Sequence, residues 1–586
     1  MPGPRIVSAP KPVVRDAPGP AAPLQRAVEK VLREGMVTKP GFSGAWVNLV
    51  PPVGAQEVYR YRVERSEVMI FKRGESGEVL YHLVPEEYRL PGYQTRLLVE
   101  GERALAASLP EHLGYLGRKD LRDSLSVSAE GVLSRLAASA IPGVTKEQEA
   151  ALVRRLAGIL VRYTAGLGVL ETILRDPYVQ DIYLDAPAEE NPVHLTLGPI
   201  PADVGSGKCV SNVRLSDIEV QGLVSRFRLQ SGRPFSEAMP VLETDMEDLN
   251  TRVTVIGRPL SPGGVAMALR RHASDPWTIP KFVGNRNLSP QAAGLLWFLI
   301  DGRSTILVAG SRGAGKTSLL SALMLELPRE QRILTIEDTL ELPTPEMQQL
   351  GYKVQSLYVS SAVSGGAGMS ADEALRVSLR LGESAIVLGE VRGQETRTLY
   401  EAMRSGSAGS AVLGTIHGNS PRSVFERIVY DLGIPAKAFN ATDIVLISGL
   451  IRPGGGRGYV RRVTSIAEVV KEEGREGEFR ELMTYDQRSD ALVPASTLSS
   501  SERVRMIAGL WGMSTEDALA NIQVRGEIKD ALCRAAERSG RRELLSAHWN
   551  ARANARYWEL VEEMKGRFNN PSLLARWRAW FDSLTG

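Results

Sequence analysis

From about residue 286 onward the chain repeats one pattern. Short apolar runs, bounded by polar or Gly-rich turns, alternate with longer stretches whose apolar positions fall three and four residues apart. The strand candidates are 305–309 (TILVA), 332–336 (RILTI), 385–389 (AIVLG), 411–415 (AVLGT) and 443–447 (DIVLI), with helical patterns between them. This alternation predicts an α/β sheet covered by helices on both faces, with any ligand site at the carboxyl ends of the strands. Upstream the pattern is mixed. Gln56–Phe71 alternates as strands do, and GESGE at 74–78 reads as a turn before another strand. Residues 131–180 read as helices, punctuated at Gly168 and at Asp176-Pro177. Short strand-like runs follow at 181–185, 194–198, 251–257 and 263–271, with a helical pattern at 215–230. Past 460 a hairpin is expected around Gly474–Gly477, and residues 500–586 read as helices.

These shifts predict five regions: a disordered Pro- and Ala-rich tail (1–24), an accessory α+β domain (25–130), a second α+β domain (131–285), the strand–helix core (286–490) and a helical region (491–586). Composition adds little. The chain has 586 residues, 43% hydrophobic and 24% charged, with a net charge of +3, which gives no polyanion-binding signature. Cys209 and Cys533 are the only cysteines and are too far apart in sequence for a thiolate metal site. The longest apolar stretch, near Leu295–Ile300, falls far short of the roughly 20 residues that span a bilayer. No secretory signal is expected from the first residues, which lack an apolar segment. A peripheral protein in a reducing compartment fits these features.

The stretch that carries chemistry is Thr305–Leu327. After the 305–309 strand, Gly310, four residues, Gly315, Lys316 and Thr317 fit G-x-x-x-x-G-K-[ST], and an apolar-periodic helix follows until Pro328. Glycines let backbone amides turn inward around phosphate oxygens, and the helix start adds partial positive charge. Gly310, Ser311, Arg312, Gly313, Ala314, Gly315, Lys316, Thr317 and Ser318 are therefore the expected phosphate-binding residues, with Lys316 on the β- and γ-phosphates and the Thr317 hydroxyl on Mg²⁺. The other strand ends also carry functional groups. Glu337-Asp338 and Glu341 follow the second strand candidate, Glu390 the third and His417 the fourth. Phosphoryl transfer to water needs a cation on the phosphates, a carboxylate to orient the water, and positive groups for the developing charge. GSGK at 205–208 is a decoy, because Cys209 stands where Ser or Thr is needed and Ala202 where Gly is needed. His82 and His112 read as packing or surface histidines. Arg252, Arg258, Arg270 and Arg271 fit either a solvated basic face or nucleotide contact, and composition does not choose.

Four boxes in order, the loop at 310–317, TIEDTLEL at 335–342, AIVLGEVRGQET at 385–396 and GSAVLGTIHGNS at 409–420, resemble the secretion and type IV pilus traffic ATPases. The resemblance covers about 140–480. It implies a RecA-like P-loop ATPase core under a PAS-like N-terminal domain, ATP and Mg²⁺ as cofactors, and a homo-hexamer at the cytoplasmic face of a membrane. It also implies a polytopic membrane platform protein and, indirectly, pilin-like subunits as partners, with no direct nucleic acid. By likeness, Glu390 is the Walker B glutamate and Glu337 the aspartate-box glutamate. One of the two activates water, with Glu390 preferred, and Glu390 joins Thr317 at the metal. His417 senses the γ-phosphate, while Arg252, Arg270 and Arg271 reach the phosphates when domains close. Gly393 replaces the family's usual Asp, and the tetracysteine module of many bacterial members is absent. The hairpin near 463–486 and the helical tail are more similar to archaeal members. The expected role is a motor for pilus or pseudopilus assembly. A conjugation-type secretion ATPase, a DNA-directed ATPase and a nucleotide-gated scaffold are the alternatives.

Overall fold

A computed structural model describes residues 37–585, apart from 75–76, 109–117, 141–144, 199, 201–206, 272–274, 360–368, 383, 406–410, 454–458 and 566–568. The predicted tail and His112 lie outside the described residues. The chain forms two compact units that divide between His272 and Ala273.

The first unit is built on a nine-stranded sheet. Its order is Val241–Met246, Thr251–Ile256, Ala266–Arg271, Val179–Leu184, His194–Leu197, Lys208–Ser211, Glu78–Val84, Ser66–Arg73 and Ala55–Val63. Thr251–Ile256 alternates buried and half-buried residues, as period-two side chains on a sheet must. Glu78–Val84 pairs in parallel with Lys208–Ser211, so one sheet runs across the expected boundary at 130/131. Strands from both sides share one core through Val79, Tyr81, Leu195 and Cys209. Lys208 opens a strand, so the helix that a phosphate loop requires does not follow GSGK. The helices Gly92–Ser108, Arg118–Ala140 and Lys146–Thr164 bury a second cluster that includes Leu98, Leu133 and Leu160. Lys146–Thr164 starts on a capping box made by Thr145 and Gln148. His82 is buried, and its burial pushes its pKa down, as for a neutral packing histidine.

In the second unit a helix, α1 (Pro290–Asp301), precedes the strand β1 (Ile306–Gly310) and the helix α2 (Lys316–Met324). The remaining strands are β2 (Arg332–Glu337), β3 (Lys353–Tyr358), β4 (Ala385–Leu388), β5 (Val412–His417), β6 (Ile444–Ile451), β7 (Val460–Val469), β8 (Phe479–Asp486) and β9 (Ala491–Pro494). The sheet order is β3-β2-β4-β5-β1-β6-β7-β8-β9, parallel from β3 to β6 and antiparallel beyond. Central parallel strands are covered on both faces, which is why β1 and β4 are buried at every position. All five strand candidates form. The last runs on to Ile451, because a bulge at Ile447/Ser448 absorbs the polar break and lets pairing with β7 continue.

The expected boundary at 285/286 falls inside this unit. The preceding turn of helix, Ile279–Gly284, is tied to the tail: the Thr278 hydroxyl donates to Leu545 O at 2.7 Å and the Cys533 thiol to Pro280 O at 3.1 Å. The helical region is α3 (Thr515–Ser539), α4 (Ala547–Glu563) and α5 (Asn570–Thr585), preceded by the shorter helix Glu502–Leu510. α3 crosses α1 closely at glycines: a Cβ on Gly294 would lie 2.0 Å from Ile522 O, and one on Gly526 would lie 2.3 Å from Pro290 O. Beneath this crossing Lys529 is fully buried, with Nζ 2.7 Å from Glu326, Asn550 and Asn554.

Candidate functional site

β1 ends at Gly310 and the chain turns through Ser311–Gly315 into α2. Three glycines make the turn possible. Gly313 and Gly315 have φ of 78° and 88°, the left-handed region. A Cβ on Gly310 would stand 2.3 Å from Ser448 O. The loop's carbonyls are held by β6 and β7: the Ser448 hydroxyl donates to Ala314 O at 2.7 Å, and Arg461 Nε to Gly313 O at 2.9 Å. Lys316 Nζ donates to Ser311 O at 3.2 Å. Burial lowers the Lys316 pKa, while Glu390 and Glu341 pull it back up. No side chain caps the start of α2, so its first amides are available to an anion. Thr317 and Ser318 sit half-buried in that first turn.

The acidic groups come from the neighbouring strand ends. Glu337 ends β2 and is buried. Its Oε1 accepts the Glu341 and Leu342 amides, both at 2.9 Å, and its buried Oε2 has no hydrogen-bond partner. Burial pushes its pKa up to about 7, against the two amide bonds that favour the carboxylate. Glu390, just after β4, is half-buried and places Oε1 3.0 Å from Nε2 of His417, the last residue of β5. Its Oε2 is 3.5 Å from Arg392, which also pairs with Asp338. The strand ends are laced together: the Thr415 hydroxyl donates to Gly389 O at 2.5 Å, and the Gly389 amide to Ile336 O at 3.0 Å. A cavity of about 720 Å³ opens beside the loop, lined by Gly310, Ser311, His417, Asn419, Arg427 and Tyr430, among others.

Gly393 has a local explanation. Glu395 Oε1 accepts the Arg392 and Gly393 amides at 2.8 and 2.6 Å, and a Cβ on Gly393 would lie 2.7 Å from Glu395 Oε2. The Glu395 carboxylate fills the space into which a side chain at 393 would project.

The structure thus gathers Gly310–Ser318, Glu337, Glu390 and His417 at one end of one sheet. Arg252, Arg270 and Arg271 belong to the first unit. Arg252 and Arg270 face each other on paired strands, 3.4 Å from Glu243 and 3.9 Å from Asp181 respectively. Arg271 donates to the carbonyls of Asp176 and Val179 in its own unit. The Asp176 carboxylate accepts the Tyr61 and Tyr81 hydroxyls at 2.6 and 2.8 Å. Sequence reasoning missed Ser448, Arg461 and Glu395. Only strand register brings the first two to the loop, and no local pattern encodes it.

Among the described residues no group of three His, Cys, Asp or Glu side chains could hold a metal by itself. A magnesium ion at a phosphate loop needs no such cage, since phosphates and water supply most of its ligands. One hydroxyl, Thr317, and one nearby carboxylate, Glu390, fit that requirement. The unpartnered Glu337 oxygen and the uncapped amides of α2 fit a phosphate ligand and its water.

Residues 210–476 match the family described as Type II/IV secretion system protein. This matched stretch is somewhat under half of the chain. The match takes in α1 and the strands β1 to β7 of the phosphate-loop sheet, together with part of the first unit, and stops before β8. A relative from Methanocaldococcus jannaschii is 28% identical over 53% of this chain and 53% of its own length. The type IV secretion system protein PtlH of Bordetella pertussis is 29% identical over 30% of this chain and 57% of its own. The chain thus spans little more than half the length of these relatives. The solved ATPase DotB of Legionella pneumophila is 16% identical over 52% of this chain and 80% of its own, with a TM-score of 0.37, too loose an overlay to carry an argument. No helix among the described residues is long and apolar enough to cross a membrane.

Proposed function

We propose that this chain is an ATP-hydrolysing motor of a secretion or pilus-assembly machine. One constellation carries the proposal: an uncapped helix start behind a glycine turn, with two glutamates and a histidine at the ends of the strands alongside. The loop amides and Lys316 hold the β- and γ-phosphates. Thr317 and Glu390 hold Mg²⁺, which when bound would neutralise charge building on the phosphates. Glu337 takes the proton from the attacking water. Its unpaired Oε2 and its raised pKa support this role over Glu390, whose Oε1 is already engaged by His417. His417 positions Glu390 and faces the end of the triphosphate.

Within this reading the second unit is a RecA-like core, and the first contains a PAS-like sheet. The molecule works as a homo-hexamer against a polytopic platform at the cytoplasmic face of a membrane and drives pilin-like subunits. A conjugation-type secretion role is the second reading, favoured by the likeness to a putative conjugal transfer protein of Mycobacterium tuberculosis. The direct test is phosphate release by purified protein. Lys316→Ala is expected to abolish ATP binding, and Glu390→Gln to cut turnover by about 100-fold with binding retained. Unchanged ATP affinity in Lys316→Ala refutes the proposal. Turnover insensitive to added DNA is expected, and stimulation by DNA would favour a DNA-directed ATPase.

A further inference from the structure

The phosphate-loop strand β1 has different neighbours on its two sides. On one side, β5, β4 and β2 bring His417, Glu390 and Glu337. On the other side, β6 and β7 form a hairpin that runs past the end of β1: Ser448 is in register with Gly310, and Leu450, Ile451 and Val460 lie beyond it. A triphosphate whose last phosphate faces the carboxylates therefore leads its nucleoside toward the hairpin.

One face of that hairpin is equipped for a nucleoside. Ser448 and Arg461 both touch the loop, so their face looks onto it. Leu450 pairs opposite Arg461 and stands two residues from Ser448, which places it on the same face. The Arg461 side chain spans the loop: Nε bonds to Gly313 O, and Cδ would lie 3.4 Å from a Cβ on Gly315. Arg462 points the other way, into Asp490 at 2.7 Å. Arg452 and Tyr459 flank the last strand pair, Ile451 and Val460. The Arg452 guanidinium lies over the Tyr459 ring, 4.0 Å from its centroid, and also hydrogen-bonds to its hydroxyl. Tyr459 is 59% exposed and Leu450 37%. A tyrosine stiffened by an arginine, beside an exposed leucine, is a stacking platform.

We propose that Leu450, Tyr459 and Arg461 form the nucleoside subsite of this chain: Tyr459 and Leu450 flank the purine, and Arg461 contacts the phosphate nearest the ribose. This rests on the phosphate-loop reading above, and two ligands separate the two claims. Full-length protein is titrated with ATP, and with inorganic tripolyphosphate as a competitor. Tyr459→Ala is expected to weaken ATP about tenfold, as loss of one base–aromatic stack does, and to leave tripolyphosphate unchanged. Tyr459→Phe keeps the ring and should restore ATP affinity to within about twofold. Arg461→Ala should weaken both ligands. ATP affinity unaltered in both Tyr459→Ala and Leu450→Ala overturns the subsite, and so does an equal loss for ATP and tripolyphosphate in Tyr459→Ala. Wild-type protein that ignores tripolyphosphate, or Lys316→Ala that still binds ATP, sinks the phosphate-loop reading instead.

Discussion

Glu337 and Glu390 end neighbouring strands yet sit in different surroundings. Glu337 is buried with one oxygen unpartnered, and burial holds its pKa near 7; Glu390 is half-buried and paired with His417. If Glu337 must be ionised to accept a proton, kcat/KM should rise with pH through a midpoint near 7, and Glu337→Gln should lose that limb along with most of the activity. Stability should move the other way. A carboxyl raised from its unfolded value of about 4.3 favours the folded state below that pH, and the contribution is lost as pH rises through about 7. Glu337→Gln should therefore melt higher than wild type above pH 7, with the difference closing in acid; thermal melts across pH check this. The sequence placed both glutamates at strand ends. It could not rank them, because burial and hydrogen-bond partners are properties of the packed sheet. The same limit applies to Gly393, whose reason lies in the Glu395 carboxylate two residues away.

At the scale of elements, the parallel strands were legible because burial on both faces demands uninterrupted apolar runs. The glycine spacing after β1 showed the loop for a similar reason, since few residues tolerate its backbone. Pairing between distant segments left no local trace. The joining of Glu78–Val84 to Lys208–Ser211 and the overhang of β6–β7 beyond β1 were not readable from periodicity. The α1–α3 crossing is another such contact. Because a Cβ on Gly526 meets a backbone carbonyl that cannot swing aside, Gly526→Ala should lower stability by about 2 kcal/mol, read as a drop in melting temperature. An unchanged melt would show that the two helices can separate freely.

Over the whole second unit, the helical tail is fastened to the nucleotide core. Glu326 lies two residues past the end of α2, so the buried Lys529–Glu326 pair and its two asparagines tie α3 and α4 to the far end of the phosphate-loop helix. Arg525 adds a buried pair with Asp301 at the end of α1 and lies over the Trp297 and Tyr557 rings. Removing one partner leaves the other charge buried alone. Lys529→Met should thus cost about 3 to 5 kcal/mol in denaturant unfolding, more than Lys529→Met combined with Glu326→Gln. Equal losses would mean the pair is not coupled. The helical periodicity of 500–586 was plain in the sequence. That the tail carries charged residues into the core was not, because Arg525 and Lys529 read locally as polar positions on a solvated helix.

The most direct test of the central claim is a structure of the Glu390→Gln protein with Mg²⁺ and ATP. The account predicts the β- and γ-phosphates on the amides between Gly310 and Ser318, with Lys316 reaching the γ-phosphate and Glu337 Oε2 facing a water beyond it. A nucleotide bound elsewhere, or Glu337 turned away from the terminal phosphate, would contradict it.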